Sequence, residues 1–244
     1  MLSFNVIQLR GTIFLRKTIG YSLDNEEKYK GLLPDSVSAP INTPSIQIGA
    51  SGFQIVPDAK LEEGASWQLI ARNTRIVFSP MKIDIITDIV AQQGAVESDF
   101  CTFCSKIFQS ILEIESESAS RIAFAPIYAK DRDEVFISQQ LWDQQLRHTT
   151  FSGSNIEEVN ITFNYRVQKS VGEHTCIINF KTIIGDAQKQ LPSGEVITGC
   201  VTISLDINTA FDQNKQFSFS KQDVENFFSN VNHWGRDFLE YNFE

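Results

Sequence analysis

The sequence predicts an α+β fold: antiparallel sheets in two meander-then-helix halves, with a long C-terminal amphipathic helix packed on the second sheet. Three observations predict it. Segments in which apolar and polar residues alternate cluster together rather than taking turns with helices, the pattern of α+β rather than doubly wound proteins. Two segments, near residues 97–115 and 221–241, carry apolar residues at spacings of three and four, the period of a half-buried helix. Turn-forming Pro, Gly, Ser and Asn separate the clusters, as in Pro192-Ser-Gly194 and Ser152-Gly-Ser-Asn155.

The first strand is expected over residues 4–14, where Ile7, Leu9 and Ile13 alternate with polar positions. From Leu15 to about Ser45 the pattern dissolves around Pro34, Pro40 and Pro44, leaving one short charged helix near Asp24-Asn-Glu-Glu-Lys28 inside a long excursion. Strand character returns over 46–56 and at Trp67, Leu69 and Ala71. The chain is then expected to reverse across Asn73-Thr74 into 75–78, with a further strand over 82–90. The helix at 97–115 presents Phe100, Cys104, Ile107, Ile111 and Ile114, with Ser98 or a neighbour as its cap. A strand follows over 121–129, where Pro126 argues for an edge, a bulge or a strand end. A short helix is expected through Phe136, Trp142 and Leu146. Residues 1–150 and 151–244 form the candidate halves, compatible with one compact unit.

The last third alternates most clearly, over 158–167, 175–184 and 195–207. The closing helix carries three start signals: Ser220 as cap, Asp223 reaching back, and Phe219 stapling onto Val224. Its stripe of Val224, Phe227, Phe228, Val231, Trp234, Phe238 and Tyr241 is too apolar to face water, so it must cover a sheet or another chain.

Composition narrows the function. The chain has 244 residues, 42% of them hydrophobic, and 19 Phe against 2 Met, so Phe is expected to dominate the core. Net charge is −9, and both halves are acidic: 14 basic against 18 acidic residues to Thr150, then 7 against 12. Nucleic acid is therefore disfavoured, because phosphate binding needs a positive stripe; a local patch from Arg72, Arg75 and Lys82 is the exception to test. No stretch approaches the roughly 18 apolar residues of a membrane helix. The first residues lack a secretory pattern, and four cysteines do not make a disulfide framework in a chain of this length. A cytoplasmic location is expected.

Chemistry-bearing motifs are sparse. Cys101-Thr-Phe-Cys104 is a C-x-x-C, yet it lies one turn inside a helix, away from the N-terminal dipole that activates redox cysteines. As half a zinc site it needs two more ligands, and strand alternation points Cys176 and Cys200 to opposite faces. Packing is the expected role. His148, His174 and His233 share no metal-binding spacing and read as solvated surface residues. Gly49-Ala-Ser-Gly52 matches neither a phosphate loop nor a nucleophile elbow. Asp58 and Asp131-Arg-Asp-Glu134 read as loop carboxylates, and Asn179-Phe-Lys181 has an amide where a metal nuclease needs an acid. No catalytic residue, cofactor or metal site is assigned. The reverse face of the final sheet is instead rich in short hydrogen-bonding side chains: Asn160, Thr162, Asn164 and Arg166, then Asn179 and Lys181, then Thr198, Thr202 and Ser204. Extended peptides and protein partners use such faces and their edges.

Ile203-Ser-Leu-Asp-Ile207 followed by Phe227-Phe-Ser-Asn-Val-Asn-His-Trp234 resembles the last third of a family of uncharacterised prokaryotic proteins of similar length, in which a strand ending Leu-Asp-x-Asp precedes a C-terminal helix. Asn208 stands where the second acid falls, and 121–128 faintly echoes that family's arginine-tyrosine strand. The resemblance implies no activity; it implies occasional neighbourhood with phage-defence and toxin–antitoxin genes. The leading expectation is a non-enzymatic protein-binding or assembly subunit, with a protein partner or self-association. The alternatives are a hydrolase or nuclease with an unrecognised carboxylate site, and a chaperone-like binder of extended polypeptide.

Overall fold

A computed structural model describes residues 5–41, 47–49, 52–54, 61–89, 96–131, 160–190, 196–210 and 217–243. The elements are β1 (Asn5–Phe14), α1 (Leu23–Lys30), β2 (Val37–Pro40), β3 (Gln47–Gly49), β4 (Gly52–Gln54), β5 (Trp67–Ala71), β6 (Thr74–Ser79) and β7 (Lys82–Asp88). Then come α2 (Val96–Glu115), β8 (Arg121–Asp131), β9 (Asn160–Val171), β10 (His174–Gln190), β11 (Val196–Thr209) and α3 (Lys221–Phe243). Nine strands form one antiparallel sheet in the order β2-β5-β6-β7-β1-β8-β11-β10-β9; β3 and β4 pair only with each other. The fold is α+β, and its large sheet draws strands from both 1–150 and 151–244, because β8 pairs with β11.

The three helices of the described residues lie on one face of that sheet. Tyr29 of α1 packs against Phe78 and Trp67, with ring centroids 4.9 and 6.4 Å apart. A Cβ on Gly11 in β1 would meet Cys104 Sγ of α2 at 2.6 Å, and one on Gly235 in α3 would meet Ile207 Cδ1 at 3.1 Å. Between helices and sheet lies a core rich in phenylalanine, including Phe78, Phe108, Phe124, Phe219, Phe227 and Phe228. The aromatic rings meet tilted, stacked or edge-on, and each buries a large apolar area.

Several expectations need correction. After Leu15 the expected short helix is present as α1, capped by Ser22 through Asn25 N at 3.1 Å, but β2, paired with β5, adds a strand where the sequence shows no strand pattern. The strand character expected over 46–56 takes the form of two three-residue strands, β3 and β4. The reversal after β5 falls at Arg72-Asn73, one residue early, since Ala71 pairs with Thr74. Ser98 sits inside α2 rather than capping it. Pro126 lies in an interior strand between β1 and β11. Its missing N–H is accommodated by a gap, for the β8–β11 ladder passes from Ser204↔Ile127 to Ile207↔Phe124. In β1 a register shift between Val6 and Gln8 puts Val6 in the core and leaves Ile7 exposed, as a bulge does by inserting one residue. The helix expected through Trp142 and the boundary at Ser152 fall outside the described residues.

The closing helix starts as its sequence predicts. Asp223 N donates to Ser220 Oγ at 3.2 Å, and Ser220 N donates back to Asp223 Oδ2 at 2.7 Å, satisfying two otherwise unpaired amides. Phe219 and Val224 are both fully buried. The apolar stripe holds through Trp234 and Phe238, but Tyr241 is 90% exposed, so the last turn outruns its support.

Candidate functional site

The second face of the sheet, opposite the helices, falls into rows across β8, β11, β10 and β9. Alternation in a strand sends every other side chain to this face, and the pairings align them. One row is Ala123, Asn208, Asn179 and Arg166; the next holds Asp206, Lys181 and Asn164. The third is Ile127, Ser204, Ile183 and Thr162, and the last Ala129, Thr202, Gly185 and Asn160. Of the sequence-predicted set, Thr162, Asn164, Arg166, Asn179, Lys181, Thr202 and Ser204 therefore occupy one contiguous patch, and the backbone of Asn160 pairs with Gly185 at its end. Thr198 pairs with Gln188 beyond a register shift at Ala187, outside this alternation. Thr162, Asn164, Arg166 and Lys181 are exposed; Asn179, Thr202 and Ser204 are half-buried.

Sequence reasoning passed over two members of the patch. Ile177 and Ile183 share the parity of Asn179 and Lys181, and they are 46% and 39% exposed. Strict alternation along β10 is the signal that places them on this face. Asn208, counted in the sequence only as a substituted acid, is the buried polar centre at one end. It is 1% exposed, and its Oδ1 accepts from Arg121 Nη2 at 2.6 Å. Arg121 also lies over the Phe14 ring, 5.1 Å from its centroid. Asn208 Nδ2, Arg121 Nε and Asn179 Oδ1 are buried without a hydrogen-bond partner among the described residues. Such groups cost about 1–3 kcal/mol each when unpaired, so this corner is polar and under-satisfied.

Elsewhere the buried charges are occupied. Asp84 accepts from Arg10 Nε and Nη2 at 2.9 and 2.7 Å and from Thr12 Oγ1 at 2.6 Å, and pairs with Lys82 Nζ at 2.9 Å. Burial alone would raise its pKa; the bonds from Arg10 and Thr12 outweigh that and hold it below the usual carboxylate range. Arg75 reaches Asp88 Oδ2 at 3.4 Å, so Arg75 and Lys82 face carboxylates rather than forming a free basic patch. Glu115, at the end of α2, meets Lys17 and Lys28 at 2.5 and 2.6 Å and accepts from the Tyr29 hydroxyl. Asp223 also accepts from Glu173 N at 3.3 Å, tying the β9–β10 hairpin to the start of α3. Gly172, at the tip of that hairpin, has φ +57°, a conformation glycine takes without steric cost.

His174 corrects the expectation of a solvated residue: its ring sits edge-on to Phe217 and Phe219, with Nε2 3.5 Å from Asp223 Oδ2. His233 is exposed and 3.3 Å from Asp237; His148 lies outside the described residues. Cys101 and Cys104 are buried against the sheet. Burial, then Glu97, pushes the Cys101 thiol up to about 12, and burial pushes Cys104 well above its ordinary value. Burial, then Asp223, raises Cys176 to about 11. These thiols are protonated packing groups at neutral pH. Among the described residues no three His, Cys, Asp or Glu side chains stand together to hold a metal, and no helix is long and apolar enough to cross a membrane. A groove of about 700 Å³ opens beside the start of α2, between Leu33, Asn73, Thr87, Phe100 and Phe103.

No family model and no curated protein matches this chain. The rows on the second face therefore have to be interpreted from their own chemistry. They offer amides, hydroxyls, the cations of Arg166 and Lys181, the Asp206 carboxylate and two exposed isoleucines on fixed strands.

Proposed function

We propose that the chain is a non-enzymatic protein-binding or assembly subunit that meets its partner with the second face of β9, β10 and β11. One observation carries the reading: Ile177 and Ile183 stand exposed on that face among Thr162, Asn164, Asn179, Lys181 and Ser204. Protein interfaces combine apolar contacts at the centre with a hydrogen-bonding surround. Short Thr, Ser and Asn side chains lose little rotamer freedom on docking, so their contacts are not offset by ordering costs. Strands of 12, 17 and 14 residues hold these groups in register. The resemblance of the last third supports a prokaryotic setting near defence-type systems.

A photo-crosslinking residue placed at Ile183, and in a second protein at Lys181, tests the surface in cells of the native host. The same residue at Asn230, on the exposed side of α3, is the control. The expected outcome is one discrete protein adduct from both sheet positions, absent from the control. Equal labelling from all three, or none from the sheet, overturns the assignment.

A further inference from the structure

We infer that an extended, acidic polypeptide segment binds by adding to β9 as a tenth strand. This rests on the protein-binding reading above and gives the partner its form and charge. β9 ends the sheet order. The two-residue loop Gly172-Glu173 makes Val171 and His174 the closing hydrogen-bonded pair of the hairpin, and pairs then alternate between hydrogen-bonded and non-hydrogen-bonded. By that count Thr162, Asn164, Arg166, Gln168 and Ser170 turn their backbone N–H and C=O groups away from β10. The side chains of these same five residues are exposed, and among the described residues no strand pairs with this backbone row. An unpaired row of this length is a template for an added strand.

Charge selects the occupant. The twelve residues of β9 include Arg166 and Lys169 and no acid, within a chain of net charge −9. Arg166 faces the second side of the sheet, and Lys169 the helix side, where its Nζ lies 5.8 Å from the Trp234 ring centroid. The two cations therefore flank the edge on both sides, three positions apart. A guest strand with carboxylates three apart, one on each face, satisfies both. A second copy of β9 brings two more cations and no anion to the seam, and like charges across a strand pair oppose it.

The test uses the full chain and a labelled short Thr/Val peptide carrying two glutamates three positions apart, read by fluorescence anisotropy. A lysine version and a glutamate version N-methylated on alternate amides are compared with it. The glutamate peptide should bind about ten-fold more tightly than the lysine peptide, consistent with two charge pairs at a partly exposed seam. Added salt should weaken that preference, and N-methylation on the pairing side should abolish binding. R166E/K169E should reverse the preference. Gln168→Pro removes one outward N–H without touching a β9–β10 bond, a substitution that edge strands accept; it should abolish peptide binding with the far-UV spectrum unchanged. Equal binding of both charges, or binding that survives Gln168→Pro, overturns the inference. A dimer seen by light scattering and dispersed by Gln168→Pro also overturns it, in favour of a second copy. If crosslinks from Ile183 persist in Gln168→Pro while peptide binding fails in the parent chain, the edge is wrong and the face reading stands.

Discussion

Glu115 closes α2 at the end where helix carbonyls lack partners and cations are favoured, and Lys17 and Lys28 take that place. Its carboxylate is the hinge of a four-residue cluster that ties α1 and the segment after β1 to α2. Burial alone would raise its pKa; the bonds from Lys17, Lys28 and Tyr29 outweigh burial and bring it to about 2 from an ordinary 4.5. A lowered folded pKa contributes stability that is complete above about 4.5 and is lost as the pH falls through about 2. Glu115→Gln should therefore melt below the parent at pH 7, by an amount equivalent to about 1–3 kcal/mol. The gap should narrow as the pH falls from 4.5 towards 2. Melting curves at four pH values decide it, and a gap that stays constant contradicts the cluster's role. At this scale the sequence was legible where one residue's neighbours along the chain decide its place. Ser220 and Asp223 cap each other from three positions apart. Lys17, Lys28 and Glu115 come from three separate segments, and no local pattern announces their meeting. Ile7 was misplaced for the same reason, since the bulge beside it depends on how β8 pairs.

The contact of α2 with the sheet turns on Gly11. In β1 this glycine sits directly beneath Cys104 and Phe108 and lets the helix approach closely. Gly11→Ala would place its Cβ 2.6 Å from Cys104 Sγ and 3.3 Å from Phe108. Overpacking of this kind costs about 1–3 kcal/mol, which urea unfolding should register as a lower midpoint with an unchanged slope. Cys104→Ala in the same chain removes the colliding sulfur and should recover a measurable part of the loss. Simple additivity of the two substitutions would deny the contact. This also explains the C-x-x-C: Cys104 is there for its size. The two long helices and β9 to β11 were readable because apolar spacing repeats within each for several turns or rungs. β2 was not, because Val-Ser-Ala-Pro carries little strand signal, and it is placed by distant partners, its pairing with β5 and the Ser38 hydroxyl's bond to Glu26. Pro126 misled for a related reason. Proline is excluded from an interior strand only where the one neighbour its N–H would face needs that donor, and here β11 leaves a gap.

In the whole molecule, β1 stands between β7 and β8, and β8 between β1 and β11, so the first and last thirds of the chain share one sheet. That order was beyond the sequence, which shows the strands but not which distant edges join. The α2–α3 contact, through Phe108 and Phe228 with ring centroids 5.5 Å apart, closes the same join on the helix side. The chain should thus unfold as a unit. Trp67 lies buried in β5 and Trp234 in α3, at opposite ends of the sheet order. In a Trp142→Phe background, variants keeping one or the other should each show a fluorescence midpoint in urea equal to their own far-UV midpoint. Two separate midpoints would mean that the β8–β11 seam does not couple the ends. The shared use of Asp223 by the β9–β10 tip and the first turn of α3 has a mechanical consequence. The outermost strand is tied at its turn to the first turn of α3, so that end resists fraying. A guest strand meets a rail already straight at one end, and alignment can zip outward from the turn, with less disorder to remove than a loose edge would demand.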